Sequence, residues 1–234
     1  MWTLRRRTVL SGAAASAAAI GAGLRPGSAD ARARPQRRDR DRPNFVVILA
    51  DDLGFADIGA YGSEIETPNL DALAAGGTTF TGATNNARCC PTRASILTGL
   101  YPTQTGVGYM AKDEGVPEYQ GRLNDTCHTF GELLRDAGYR TSLFGKWHLG
   151  TWQNGVTPAA RGFDVSYGPQ GGKSSYFRPK LYDGPDLIGT PTEPDYYLTD
   201  ELSERAADTI TTFAASGDPF LTYVSYTAPH WPLH

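Results

Sequence analysis

The residues best equipped for chemistry lie in the run Cys89-Cys90-Pro91-Thr92-Arg93-Ala94-Ser95-Ile96-Leu97-Thr98-Gly99. Proline suits the first position of a helix and glycine the position where one stops. The run therefore predicts a short helix with Cys89 at its mouth, Arg93 one turn in and Gly99 at its end. Free backbone N–H groups and the helix dipole favour negative charge at such a mouth. A sulfur or oxygen nucleophile beside an anion pocket is equipped to attack a charged ester.

Three further groups carry chemistry. Adjacent carboxylates at a strand end are costly unless a cation or several donors hold them, so Asp51-Asp52 predicts a hard divalent metal with oxygen ligands, Ca²⁺ or Mg²⁺. Asp51-Asp52-Leu53-Gly54 is equally good turn chemistry. Lys146 and His148 point to one side if the backbone there is extended; a lysine can hold an oxyanion and a histidine can move protons. His230 lies between Pro229 and Pro232, which stiffen its backbone. Two other motifs are set aside. His128 beside Cys127 lacks metal-ligand spacing and reads as a capping or packing residue. Gly171-Gly172-Lys173-Ser174 looks like a phosphate loop, but the required first glycine falls at Tyr167 and no buried strand is expected before it.

The elements that position these residues follow from hydrophobic period. Residues 45–50 form a continuous apolar run, the pattern of a strand buried on both faces. Thr67-Pro68 opens a helix over residues 69–75 that stops at Gly76-Gly77. Thr129 and Glu132 have capping-box spacing ahead of an apolar face of Phe130, Leu133, Leu134 and Ala137. Gly138 ends that helix and residues 139–144 read as the next strand. Residues 150–198, rich in Gly, Pro and Tyr, read as long surface loops. Leu202, Ala206, Ile210 and Phe213 recur at helical spacing before a last strand over 220–226. Alternating strands and helices predict an α/β domain with a largely parallel sheet. Ligands of such sheets sit beyond the carboxyl ends of the strands. Asp51-Asp52, Lys146 with His148, and His230 each follow a strand, so all three groups are expected on one edge.

The first 31 residues read as a segment apart. Arg5-Arg6-Arg7 precedes a soft apolar stretch over 9–24, and Ala-x-Ala sites follow at Ala29 and Ala31. That is the pattern of a cleavable export signal, and the arginine pair points to the twin-arginine translocase. The expected destination is the periplasm or the exterior. Residues 32–42 form a charged linker, and 43–234 the domain. Removal of the signal takes four arginines and one aspartate from a chain of net charge −3, leaving 18 basic and 24 acidic residues. This excludes broad nucleic-acid binding. Cys89, Cys90 and Cys127 are too few for a disulfide scaffold; Cys127 could bridge to one of the others, which leaves one thiol over.

From about Asn44 onward the chain resembles the N-terminal part of a sulfatase. Cys89-Cys90-Pro91-Thr92-Arg93 with Leu97-Thr98-Gly99 is similar to the family's C-x-P-x-R signature, and residues 51–59 to its metal-binding opening. Residues 145–150 and 228–232 are similar to two later active-site blocks, and the four stand in the family's order. The resemblance implies an alkaline-phosphatase-like fold. It also implies conversion of Cys89 to formylglycine (3-oxoalanine) by a formylglycine-generating maturation enzyme. The aldehyde would hydrate; one hydroxyl would attack sulfur and displace the alcohol or phenol, and the other would then expel sulfate. Asp51, Asp52 and residue 89 would bind Ca²⁺, with Mg²⁺ the alternative. Arg93 and Lys146 would stabilise the diol and the sulfate oxygens. His148 would take a proton during elimination, and His230 would contact sulfate or protonate the leaving group. Substrates would be aryl or carbohydrate sulfates. The alternatives are a phosphonate or phosphodiester hydrolase of the same superfamily, or a non-catalytic exported remnant. Family members supply a second metal-binding pair and another lysine downstream of the block containing His230, so residues 43–234 are expected to be inactive alone.

Overall fold

A computed structural model describes residues 42–233. The expected export signal and nearly all of the charged linker lie outside the described residues. Among those described, six strands form one sheet in the order β1-β6-β2-β3-β4-β5. They are β1 (Phe45–Asp51), β2 (Arg140–Gly145), β3 (Val165–Gly168), β4 (Leu181–Asp183), β5 (Asp186–Gly189) and β6 (Phe220–Pro229). β1, β6, β2 and β3 run parallel; β4 and β5 add antiparallel at the edge. The fold is α/β with a largely parallel sheet, as the strand and helix alternation predicts.

Neighbouring residues in a strand point to opposite faces, so the two central strands build two cores at once. On one face Leu143, Trp147, Leu221 and Tyr223 pack with Phe163 and with Ala94 and Leu97 of helix α2 (Cys89–Thr98). Phe130 and Leu134 of α3 (Phe130–Asp136) lie against the same cluster. On the other face Phe144 and Val224 meet Leu198, Leu202 and Ala206 of α4 (Leu198–Ser216). The α3 start carries both capping-box bonds: Thr129 Oγ1 accepts from Glu132 N at 3.1 Å and Glu132 Oε2 accepts from Thr129 N at 2.7 Å.

Three expectations are corrected. β1 is not buried on both faces: Val47 and Leu49 pack on the core, while Val46 and Ile48 point outward and are exposed. β1 is an edge strand paired only with β6 among the described residues, and no described helix covers its outer face. Residues 150–198 are not only loops, because β3, β4 and β5 fall within them; strands of three or four residues are too short to register as periodic. The Gly171-Gly172 segment does follow a largely buried strand, β3, but no helix opens after it, so a phosphate loop remains excluded. Helix α1 (Pro68–Gly76) has Pro68 at its first position as expected. Helix α2 begins at Cys89 itself, which places Pro91 third rather than first.

Candidate active site

Because β1, β6 and β2 are parallel neighbours, their carboxyl ends open on one edge, and α2 brings Cys89 and Arg93 to it. Gly99 ends α2 with φ 71°, a left-handed conformation glycine adopts without strain. Beyond β2 the chain is tethered first to β6 and then to the segment after β3. Lys146 N donates to Ser225 O at 2.7 Å, Trp147 N to Pro169 O at 3.1 Å, and His148 N to Gln170 O at 3.0 Å. His148 has φ 56°, so the run is not extended there, and simple alternation does not place it.

The sequence-derived residues fall into two layers. Arg93, Lys146 and Asp51 form a buried ionic knot. Lys146 Nζ donates to Asp51 Oδ2, and Arg93 Nη2 lies 3.3 Å from Asp51 Oδ1. Arg93 Nη1 also donates to Lys146 O at 3.0 Å and to Ser225 Oγ. Burial of these charges is tolerable because each is paired and hydrogen-bonded. Around the knot lie the remaining groups. Asp52 is exposed, and its Oδ2 lies 3.6 Å from His230 Nε2. Cys89 is half-buried, and Cys90 is fully buried with Sγ 3.2 Å from His148 Nε2. His148 is buried, with Nδ1 lacking a partner among the described residues.

All three cysteines are free thiols, so the possible bridge to Cys127 is absent. Cys127 lies apart, its carbonyl accepting from Arg161 Nη2 at 2.6 Å. The hydrogen bond from Cys90 pulls the Cys89 thiol well below its ordinary range; burial opposes this, and His148 and Lys146 add to it. The same bond, with burial, pushes the Cys90 thiol up. The helix mouth therefore favours an anion at residue 89 while its neighbour stays protonated.

A cleft of about 190 Å³ is lined by Asp51, Asp52, Asn85, Cys89, Thr92 and Arg93, among others. Its two carboxylates are hard oxygen donors of the kind Ca²⁺ or Mg²⁺ takes, although both Asp51 oxygens are held by Lys146 and Arg93. The donor set therefore fits a hard divalent ion in its chemistry, with Asp51 exchanging its cationic partners for the ion. Ligand atoms of Cys89, Cys90 and His148 also lie within 4.8 Å of one another, a softer donor set beside the first.

Sequence reasoning missed three contributors. Ser225, one of three buried hydroxyl residues of β6 with Thr222 and Thr227, donates to Lys146 O at 2.8 Å and accepts from Arg93. Tyr176 OH donates to His230 O at 2.7 Å and holds that turn. Gly172 lies flat against His148, and a Cβ there would collide with the imidazole. For Ser225 the signal was available, since a buried hydroxyl must find partners. Gly172 sat in a motif set aside for another reason.

The chain belongs to the sulfatase family, whose model matches residues 43–234. It is 34% identical over 206 residues to the arylsulfatase of Klebsiella aerogenes, covering 83% of this chain and 44% of that one. Its fold is similar to the crystal structure of Ps i-CgsB in complex with k-i-k-neocarrahexaose. The TM-score is 0.70 at 32% identity, over 81% of this chain and 46% of that one. The structure of BT4656 in complex with its substrate D-glucosamine-2-N,6-O-disulfate matches with a TM-score of 0.67 at 29% identity, over 81% of this chain and 35% of that one. The fold is thus that of the alkaline-phosphatase-like sulfatases. The chain spans 33–44% of the length of the first curated relatives it matches.

Proposed function

We propose that this chain carries the nucleophile side of a site that hydrolyses sulfate esters, consuming one water and releasing an alcohol or phenol with sulfate. The observation that carries the reading is the meeting of Cys89, Arg93, Lys146 and Asp51 at one sheet edge, in a chain of this family. Residue 89, as formylglycine, would supply a hydrated aldehyde whose one hydroxyl accepts the sulfuryl group and whose other hydroxyl, on losing its proton, allows sulfate to leave. Asp51, Asp52 and residue 89 would hold Ca²⁺, with Mg²⁺ the alternative, and the ion would offset charge on the transferring group.

The chain's own residues would do the following. Arg93 and Lys146, fixed by Asp51 and Ser225, present positive charge that is already oriented, so little reorganisation accompanies charge build-up on the ester oxygens. His148 Nε2, beside the thiol pair, would take a proton during elimination. His230, on the turn held by Tyr176, would contact sulfate or protonate the leaving oxygen. Aryl or carbohydrate sulfates are the proposed substrates, by likeness to the arylsulfatase and to the glucosamine-disulfate complex. A formylglycine-generating enzyme and the twin-arginine translocase are the proposed partners, and the periplasm or exterior the proposed location.

The intact mass of the peptide spanning residues 85–100, from protein made beside its maturation enzyme, tests the nucleophile. Loss of the thiol mass in favour of the aldehyde is expected; an unmodified thiol refutes the assignment. Parallel assays of a full-length version on p-nitrophenyl sulfate and a phosphodiester test the ester class, and a strong phosphodiester preference overturns it.

A further inference from the structure

Next to the candidate active site lies a second cleft of about 420 Å³, lined in part by Gln153, Gln170, Lys173, Ser174, Arg178 and Lys180. Its three cationic side chains are exposed, and none makes an ion pair with a carboxylate among the described residues. Unpaired cations gathered around one concavity focus a positive potential there.

Gln170, which lines this cleft and a smaller neighbouring cavity, carries a donor that a ligand could satisfy. It is 6% exposed, and its Oε1 accepts from Trp152 N at 3.1 Å. That bond fixes which end of the amide is which, leaving Nε2 as the donor. Nε2 is buried and has no partner among the described residues. A buried amide donor without an acceptor costs free energy that a bound oxyanion would recover.

The same segment ties this cleft to the first one. Gln170 O accepts from His148 N, Gly172 lies on the His148 ring, and Lys173 Nζ sits 5.3 Å from the centre of the Trp231 ring, which stacks on His230. A molecule seated against His148 and His230 can therefore extend across residues 170–173 into the second cleft.

We propose that this cleft binds a second sulfate substituent of a polysulfated saccharide whose first sulfate ester occupies the active site. Gln170, Arg178 and Lys180 would hold the second group, with Lys173 between the two. The proposal rests on the sulfate-ester reading above and names its substrate class.

Isothermal titration of the 234-residue chain with a monosulfated disaccharide, and with the same disaccharide carrying a second sulfate, tests it at low ionic strength. The disulfated ligand is expected to bind about tenfold more tightly, the scale of one or two charge-assisted hydrogen bonds at a partly exposed site. Arg178→Ala/Lys180→Ala is expected to bring the two ligands to equal affinity and leave the monosulfated one unchanged. Arg135→Ala/Arg140→Ala, which removes the same charge near the amino end of β2, is expected to keep the preference. Equal affinities in the unmutated chain, no binding of either ligand, a preference that survives the first double variant, or equal loss in both variants would each overturn the cleft. Binding is read without turnover. The hydrolase reading is tested separately on a full-length version. Preference in the chain with no hydrolysis by that version loses the hydrolase reading alone, and hydrolysis without preference loses the cleft alone.

Discussion

Strands β1 and β2 both deliver residues to the candidate active site, yet Leu143 in β2 is 1% exposed and Ile48 in β1 is 58% exposed. β2 lies between β6 and β3 with helices over both faces; β1 has one neighbour and one covered face among the described residues. The two strands are therefore anchored by different physics. Apolar burial fixes β2 along its length. The functional end of β1 is fixed by charge, because Asp51 is gripped by Arg93 and Lys146, which belong to α2 and to the end of β2. The residues assigned to the proposed reaction are thus also the clamp that holds this strand in register.

The sharpest way to break this comparison is to remove the clamp. Arg93→Ala leaves Asp51 and the Ser225 hydroxyl short of a buried partner, and is expected to cost about 3–5 kcal/mol in urea unfolding. A loss below about 1 kcal/mol would mean that β1 is held by something else. Next in size is the contrast along the strands. Leu143→Ala should cost about 2–5 kcal/mol through cavity formation, whereas Ile48→Ala should cost about 0.5 kcal/mol or less. Equal losses at the two positions would erase the distinction. Gly172→Ala tests the chemistry side, since the new methyl must displace the His148 ring or the 170–173 segment. About 1–3 kcal/mol of strain is expected, together with a fall in kcat on aryl sulfate when the substitution is made in a full-length version. Unchanged turnover would remove the contact from the argument.

The smallest effect belongs to the cap of α3, which packs over β2. Burial pushes the Glu132 carboxyl up, but the Thr129 amide and the Arg161 guanidinium more than offset this and hold it below 4.5. A carboxylate lowered in the folded state adds stability above its unfolded value, and that stability is lost as pH falls through the folded one. The stability advantage over Glu132→Gln should therefore be present at pH 7 and fade below pH 4.5. A difference between the two proteins that stays constant from pH 7 to pH 3 would contradict the assignment.

Much of the fold was legible because its signals are local. Thr129 and Glu132 announced α3, Gly99 the end of α2, and the 3.6-residue period of Leu202, Ala206 and Phe213 the helix α4. The short strands β3 to β5 were not legible, since three or four residues carry too little periodicity to separate from loop. The site was legible in its residue types and in the edge on which they gather. Their detailed partners were not: Ser225 is 132 positions from Arg93, and Gln170 is 22 from His148.

By itself the sequence determined the alternation of strands and helices, the cysteine at a helix mouth and the carboxylates, lysine and histidines that follow the strands. These depend on neighbours within a few residues, where side-chain period and backbone preference act directly. Only the tertiary structure decided that β1 lies at an edge among the described residues, that Asp51 is held by two buried cations, that Gly172 packs on His148, and that Gln170 Nε2, without a partner among those residues, belongs to a cleft lined by three cations. Each of these is a distance between segments far apart in the chain. Such distances are set by which faces find cover and which charges find partners once the whole sheet has formed.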